Sequence, residues 1–283
     1  MTKRLTRLWR AYRRDPKSLF LRLIVCFAAL ITILALVFMI AYILMKGIPN
    51  LTVRLFEARY TTENVSLLPA LINTLFMILL SLVFAVPAGI GAAVYLTEYA
   101  GRGSRLARIV GITAETLSGI PSIVYGLFGS LFFVKYLGLG LSLLSGAFTL
   151  SIMILPLIMR TTEEAIRSVP DSYREGSFGL GAGKLRTVFS IVLPCAVPGI
   201  FSGIILGIGR IAGESAALIF TAGTVPEIAD SIFSSARTLS VHMYSISCEG
   251  LYINQTYATA VVLLVVVILI NGLSGFLEKK IKR

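Results

Sequence analysis

An all-α integral membrane protein with six transmembrane helices is the fold class this sequence predicts, and three observations predict it. Apolar residues fill 56% of the 283 positions and charged residues only 14%, against about 45–50% and about 25% in a water-soluble domain. Several apolar runs are long enough to cross about 30 Å of hydrocarbon, which takes about 20 helical residues. The formal charge is +12, yet all the basic residues except Arg22 and Arg210 lie between the apolar runs or at their ends. One soluble core cannot hide so much apolar surface, and the composition excludes disorder. Cys26, Cys195 and Cys248 are too few and too scattered for a disulfide framework or a metal cage.

The spans follow in chain order. A basic N-terminal segment, residues 1–18, precedes the first, Leu19–Lys46. That plain apolar run far exceeds the 7–15-residue core of a signal peptide, and no small-x-small cleavage site follows it. Leu68–Thr97 comes next, then Ala107–Lys135, in which Pro121 predicts a kink. Leu141–Met159 is the fourth and Val192–Thr221 the fifth; the intervening residues 160–191 form a loop. The sixth, Tyr257–Leu277, is again plainly apolar. The middle four carry Gly, Pro, Ser and Thr, as helices packed on helices or lining a pathway do.

Basic residues set the orientation. With the N-terminus inside, the inner segments hold Lys3, Arg4, Arg7, Arg10, Arg13, Arg14, Lys17, Arg102, Arg105, Arg108, Arg160, Arg167, Arg174, Lys184, Arg186, Lys279, Lys280, Lys282 and Arg283. The outer segments hold only Lys46, Arg54, Arg59, Lys135 and Arg237. This is a strong positive-inside bias, with both termini cytoplasmic. The charge is accounted for by lipid and cytoplasm, so no nucleic acid is implied. The single histidine, His242, falls in an outer segment with no second ligand at metal spacing, and is expected to be a solvated loop residue.

The inner loop is the most informative segment. Pro170 ends the helix before it. Ser172 and Glu175 have capping-box spacing for a new short helix, and Gly179, Gly181 and Gly183 stop that helix within about two turns. A second amphipathic stretch runs from Lys184 to Leu193-Pro194. The expected result is a short rod beneath the bilayer, suited to a partner's groove. The run Gly179-Leu-Gly181-Ala-Gly183-Lys184-Leu185 is not a phosphate-binding P-loop. Phe178 stands where that motif needs glycine and Leu185 where it needs Ser or Thr.

Glu175-Gly176-Ser177, three residues, Gly181, nine residues, then Ile191-x-Leu193-Pro194 resembles the EAA loop of ATP-binding-cassette importer permeases at every spacing. Gly176-Ser177 departs from that family's Ala-Ala. Three further stretches make the resemblance closer to the permease subunits of phosphate importers: Pro87–Tyr99, Glu115–Gly129 and Gly207–Gly223. The resemblance implies a type I permease fold in a bacterial inner membrane. It also implies a coupling helix whose Ser172, Tyr173, Arg174, Glu175, Gly176, Ser177 and Gly181 contact a cytoplasmic ATPase. The implied partners are a second similar permease, two ATPase subunits that hold ATP and Mg, and an external phosphate-binding protein. This chain itself would bind no cofactor and carry no catalytic residue. Permeases for sulfate, molybdate or phosphonate share the EAA loop and remain alternatives, as does a channel or carrier that works alone.

Candidate pathway residues lie in spans three and five. Arg210 sits about 21 Å along a helix entering near Ala196, deep in hydrocarbon. There it costs roughly 2.5–3.5 kcal/mol unless it faces the bundle interior or a wet cavity. Gly199, Gly203 and Gly207 form a small-residue face at four-residue spacing. Arg210 and Glu214 continue that face, either as a structural ion pair or as an anion site that Glu214 neutralises when empty. Glu115, about 12 Å into span three, reads equally as a pathway group or a cytoplasm-facing residue. Ser118 and Ser122 offer polar surface beside Pro121.

Overall fold

The computed structural model describes residues 16–100 and 104–281, with side chains from 20 to 272 outside the gap. The basic residues of segment 1–15, Arg102, Lys282 and Arg283 lie outside the described residues. Among the described residues eleven α-helices follow one another: α1 (Pro16–Gly47), α2 (Leu68–Val94), α3 (Arg105–Ser118), α4 (Ser122–Gly129), α5 (Leu143–Arg167), α6 (Asp171–Gly179), α7 (Lys184–Thr187), α8 (Leu193–Gly213), α9 (Ala216–Thr221), α10 (Leu239–Glu249) and α11 (Ile253–Ile281). Five stretches of the described residues are long and apolar enough to cross a membrane, and a sixth span arises if the bent pair α3–α4 is counted as one.

α5 is the central post. It packs most extensively against α2 and α8, and α8 in turn against α11. Met77, Leu150, Met153, Ile154, Ile158, Ile211 and Leu218 fill the main core between them. The glycine face of α8 does what its spacing predicts. A Cβ on Gly199 would lie 2.6 Å from that of Ala165, and one on Gly203 would lie 2.7 Å from that of Thr161. The two helices therefore approach nearly backbone to backbone. α1 stands apart from this core, its apolar surface exposed, and packs chiefly on α11 and the turn that follows it.

Two expected spans are not single rods. The third is broken by 103° between Ser118 and Ser122. Gly119 caps α3, and Pro121, with no N–H to give, opens α4 instead of merely kinking one helix. The fifth span, expected over 192–221, begins earlier and stops sooner. Helix runs without interruption from Lys184 through a wide turn at Val188–Val192 to Gly213. Glu214 is then extended (ψ 128°), and α9 restarts at Ala216.

His242 is a further correction. It is fully buried in α10, not solvated in a loop. Leu239, His242 and Ile246 share the face of α10 that turns inward, where α10 packs against α11 and α2. Outer-segment residues 222–238 are drawn tight by Asn73 of α2, which is fully buried. Its Nδ2 donates to Glu227 O at 2.8 Å and its Oδ1 accepts from Ala229 N at 3.0 Å.

Candidate coupling surface and anion route

α6 is the short rod expected from the loop, stopped as its glycines require. Leu180 caps it, and Gly181 takes a positive φ of 83° that a side chain would strain. The capping box does not form. Pro170 is the N-cap and α6 begins at Asp171, so Ser172 sits inside the first turn and makes no cap bond. Ser172, Tyr173, Glu175, Gly176 and Gly181 are exposed, joined by Phe178 and by Leu180 at 92% exposure. An exposed leucine and two exposed rings on a nine-residue helix make a surface built to be covered.

Two of the expected surface residues instead face inward. Ser177 is buried, its Oγ sharing a 2.8 Å hydrogen bond with Thr187 Oγ1, so α6 lies flush on α7. A small residue is needed there. Gly176 is different: a Cβ would meet nothing within 4 Å. Gly176→Ala is therefore expected to raise the melting temperature of the purified chain, gaining about 0.5–1 kcal/mol of helix stability. An unchanged or lowered melting temperature would contradict this.

Arg174 anchors the rod. Its Nε and Nη2 donate to Glu98 Oε1 at 3.1 and 2.8 Å, and its Nη1 donates to Asp171 Oδ1 at 3.1 Å. Nη2 and Nη1 also donate to Ile166 O and Val169 O at 3.0 and 2.8 Å, carbonyls at and just beyond the end of α5. One guanidinium thus joins α6, α5 and the wide turn Tyr95–Tyr99 that ends α2. Lys184 adds a second tie, its ammonium 5.2 Å from the Tyr99 ring centre. A charged cavity of about 700 Å³ opens beside them, bordered by Glu98, Arg108, Glu163, Arg167 and Arg174. Neither Glu98 nor Tyr99 carries a local signal of this role in the sequence, since their partners are about eighty residues away.

Along the proposed route, Arg210 is half-buried on α8 and has no carboxylate within 4.0 Å among the described residues. The expected Arg210–Glu214 pair is not formed. α8 ends at Gly213, which removes the four-residue helical spacing, and Glu214 turns its Oε1 to accept from Ala217 N at 3.0 Å. It caps α9. Glu115 pairs with Arg160 at 3.5 Å, both well exposed, so that bond contributes little. Ser118 is also exposed and donates to Glu115 O at 2.8 Å, while Ser122 is half-buried at the start of α4. Tyr125 ties the break together: it is buried and donates to Leu117 O at 2.6 Å across it.

Known proteins fit this architecture. Residues 85–283 match the family described as "Binding-protein-dependent transport system inner membrane component". The Probable ABC transporter permease protein YqgI of Bacillus subtilis is 34% identical, over 76% of this chain and 78% of its own. The Phosphate transport system permease protein PstA 1 of Mycobacterium tuberculosis is 37% identical, over 71% and 67%. A bacterial ABC transporter that imports alginate superposes with a TM-score of 0.64 at 18% identity, covering 98% of this chain and 100% of its own. The chain belongs to the binding-protein-dependent transport system inner membrane component family and is an ABC importer permease.

Proposed function

We propose that this permease carries inorganic phosphate inward, paired with a second permease, and that two ATPase subunits holding ATP and Mg drive it through α6. An external binding protein delivers the anion to the opposite pole. The pole bearing α6 faces the cytoplasm of a bacterium, as do both termini, in keeping with the basic bias of the inner segments. The observation that carries this reading is the rod itself. Tyr173, Glu175, Phe178 and Leu180 stand exposed on or just after a helix whose base is held by the part-buried Arg174–Glu98 ion pair. Phosphate as cargo is supported by relatives named for phosphate transport and by the half-buried Arg210 of α8, which pairs with no carboxylate among the described residues and whose fork suits an oxyanion. ATP closes the ATPase pair, α6 moves with it, and the helices around Arg210 reopen outward. This chain supplies the path and the contact; its partners supply the free energy.

The test is radiolabelled phosphate uptake by vesicles holding the assembled transporter, with sulfate, molybdate and phosphonate as competitors. Phosphate uptake that those anions leave intact supports the reading; displacement by any of them reassigns the cargo. In the same vesicles Glu175→Lys, at an exposed position that bonds to no described side chain, is expected to cut uptake at least tenfold while the protein level in the membrane stays normal. Normal uptake by this variant would remove α6 from the coupling path.

A further inference from the structure

At the pole opposite α6, two buried side chains hold nitrogen atoms that no described residue satisfies. Arg237 is 4% exposed and His242 0%. Nε and Nη2 of Arg237, and both ring nitrogens of His242, lack a hydrogen-bond partner. Nε and Nη2 form one edge of the guanidinium, the edge that receives two oxygens of an oxyanion side by side. The guanidinium carbon lies 4.6 Å from the centre of the Tyr60 ring, and His242 meets the same ring edge-on with centroids 6.2 Å apart. One phenol thus gathers both groups.

The arginine is held in place. Its N–H donates to Val225 O at 2.9 Å, and its carbonyl accepts from the buried Asn73 at 3.4 Å. No carboxylate lies within 4.0 Å of it among the described residues. A buried cation needs a counter-charge, and contact with an aromatic face offsets only part of that need. His242 does not compete for the anion's place by becoming a second cation. Burial, and then Arg237's charge, hold its pKa down to about 3. At neutral pH it is an uncharged imidazole, able to donate to a bare oxygen or accept from a protonated one.

We propose that the free edge of Arg237, with His242 beside it and Tyr60 covering it, is a second oxyanion site that receives the transported ion at the opposite pole and is shut in this conformation. That the ion is phosphate rests on the function proposed above; the site itself does not. The two arginines are joined through the backbone break after α8. Ser240, three residues beyond Arg237, donates its Oγ to the carbonyl of Glu214, four residues beyond Arg210. An ion that opens one site therefore pulls on the element that positions the other.

The experiment measures thermal stabilisation of the purified full chain by inorganic phosphate, against chloride at matched ionic strength. It is run in an Arg210→Gln background so that Arg210 contributes nothing. Saturable stabilisation by phosphate is expected, weakened at least tenfold in apparent Kd when Arg237→Gln is added and several-fold by His242→Leu. Arg237→Lys keeps the charge without the fork. It should melt as a folded protein yet bind phosphate at least fivefold more weakly, so a misfolded glutamine variant does not decide the matter. Equal stabilisation with and without the Arg237 substitutions, or no phosphate shift beyond chloride in the Arg210→Gln chain, overturns the site. Sulfate and molybdate run in the same melts separate the two proposals. Arg237-dependent binding of one of these, together with vesicles that take up that ion and not phosphate, keeps the site and removes the phosphate reading.

Discussion

Arg174→Ala is expected to cut substrate uptake at least tenfold in the assembled transporter while ATP hydrolysis continues. Arg174 and Glu98 are 16% and 9% exposed at their side chains, so truncating the arginine strands a nearly buried carboxylate. Breaking a buried pair from one side costs about 3–5 kcal/mol. The cost falls on the junction of α6, α5 and the end of α2, not on the spanning core, so the protein should still insert. The partner change Glu98→Ala removes the stranded charge. The double variant should therefore be less impaired than the sum of the two singles. Measuring ATP consumed per ion imported in all four proteins decides it. A ratio equal to wild type in Arg174→Ala would mean that the bond shapes the loop but transmits nothing.

Gly126→Val is expected to abolish a monodisperse, folded chain. A Cβ at Gly126 would stand 2.8 Å from Ala217 Cα and 3.2 Å from the carbonyl oxygens of Ala216 and Ala217. All three atoms are backbone, so no side chain can swing aside. Overpacking a core costs about 1–3 kcal/mol where rotamers can adjust; here α4 or α9 itself must move. Gly126→Ala, with the same first atom, should already lower the melting temperature by several degrees, the opposite sign to Gly176→Ala. An unchanged melting temperature for Gly126→Ala would show that α4 and α9 separate more easily than their contact suggests.

The comparison of those two glycines shows what a sequence can and cannot say. Both lie in helices, and nothing local tells them apart; only the second helix does. Features governed by neighbouring residues were legible. Pro170 ends one helix, Gly181 ends the next with a positive φ, and the glycines of α8 find a helix to press against. Features governed by distant residues were not. Arg174 reads as a surface residue until Glu98 is folded against it, and His242 reads as a loop residue until α10 is laid on α2 and α11. The Arg210–Glu214 pair failed for a different reason. It assumed continuous helix, and the break at Glu214 has no proline to announce it. It follows instead from the packing of α9 against α4 and from the carboxylate's capping bond to Ala217.

The unbroken run from Lys184 to Gly213 has a mechanical consequence. It comprises 30 residues, or about 45 Å of helix, with Arg210 roughly 39 Å from the end that touches α6. A stiff beam of that length magnifies rotation. A tilt of about 5° at Lys184 swings Arg210 sideways by roughly 3 Å, about the reach of one hydrogen bond. Grip on an anion can thus be made or lost far above the loop without any local rearrangement around the arginine.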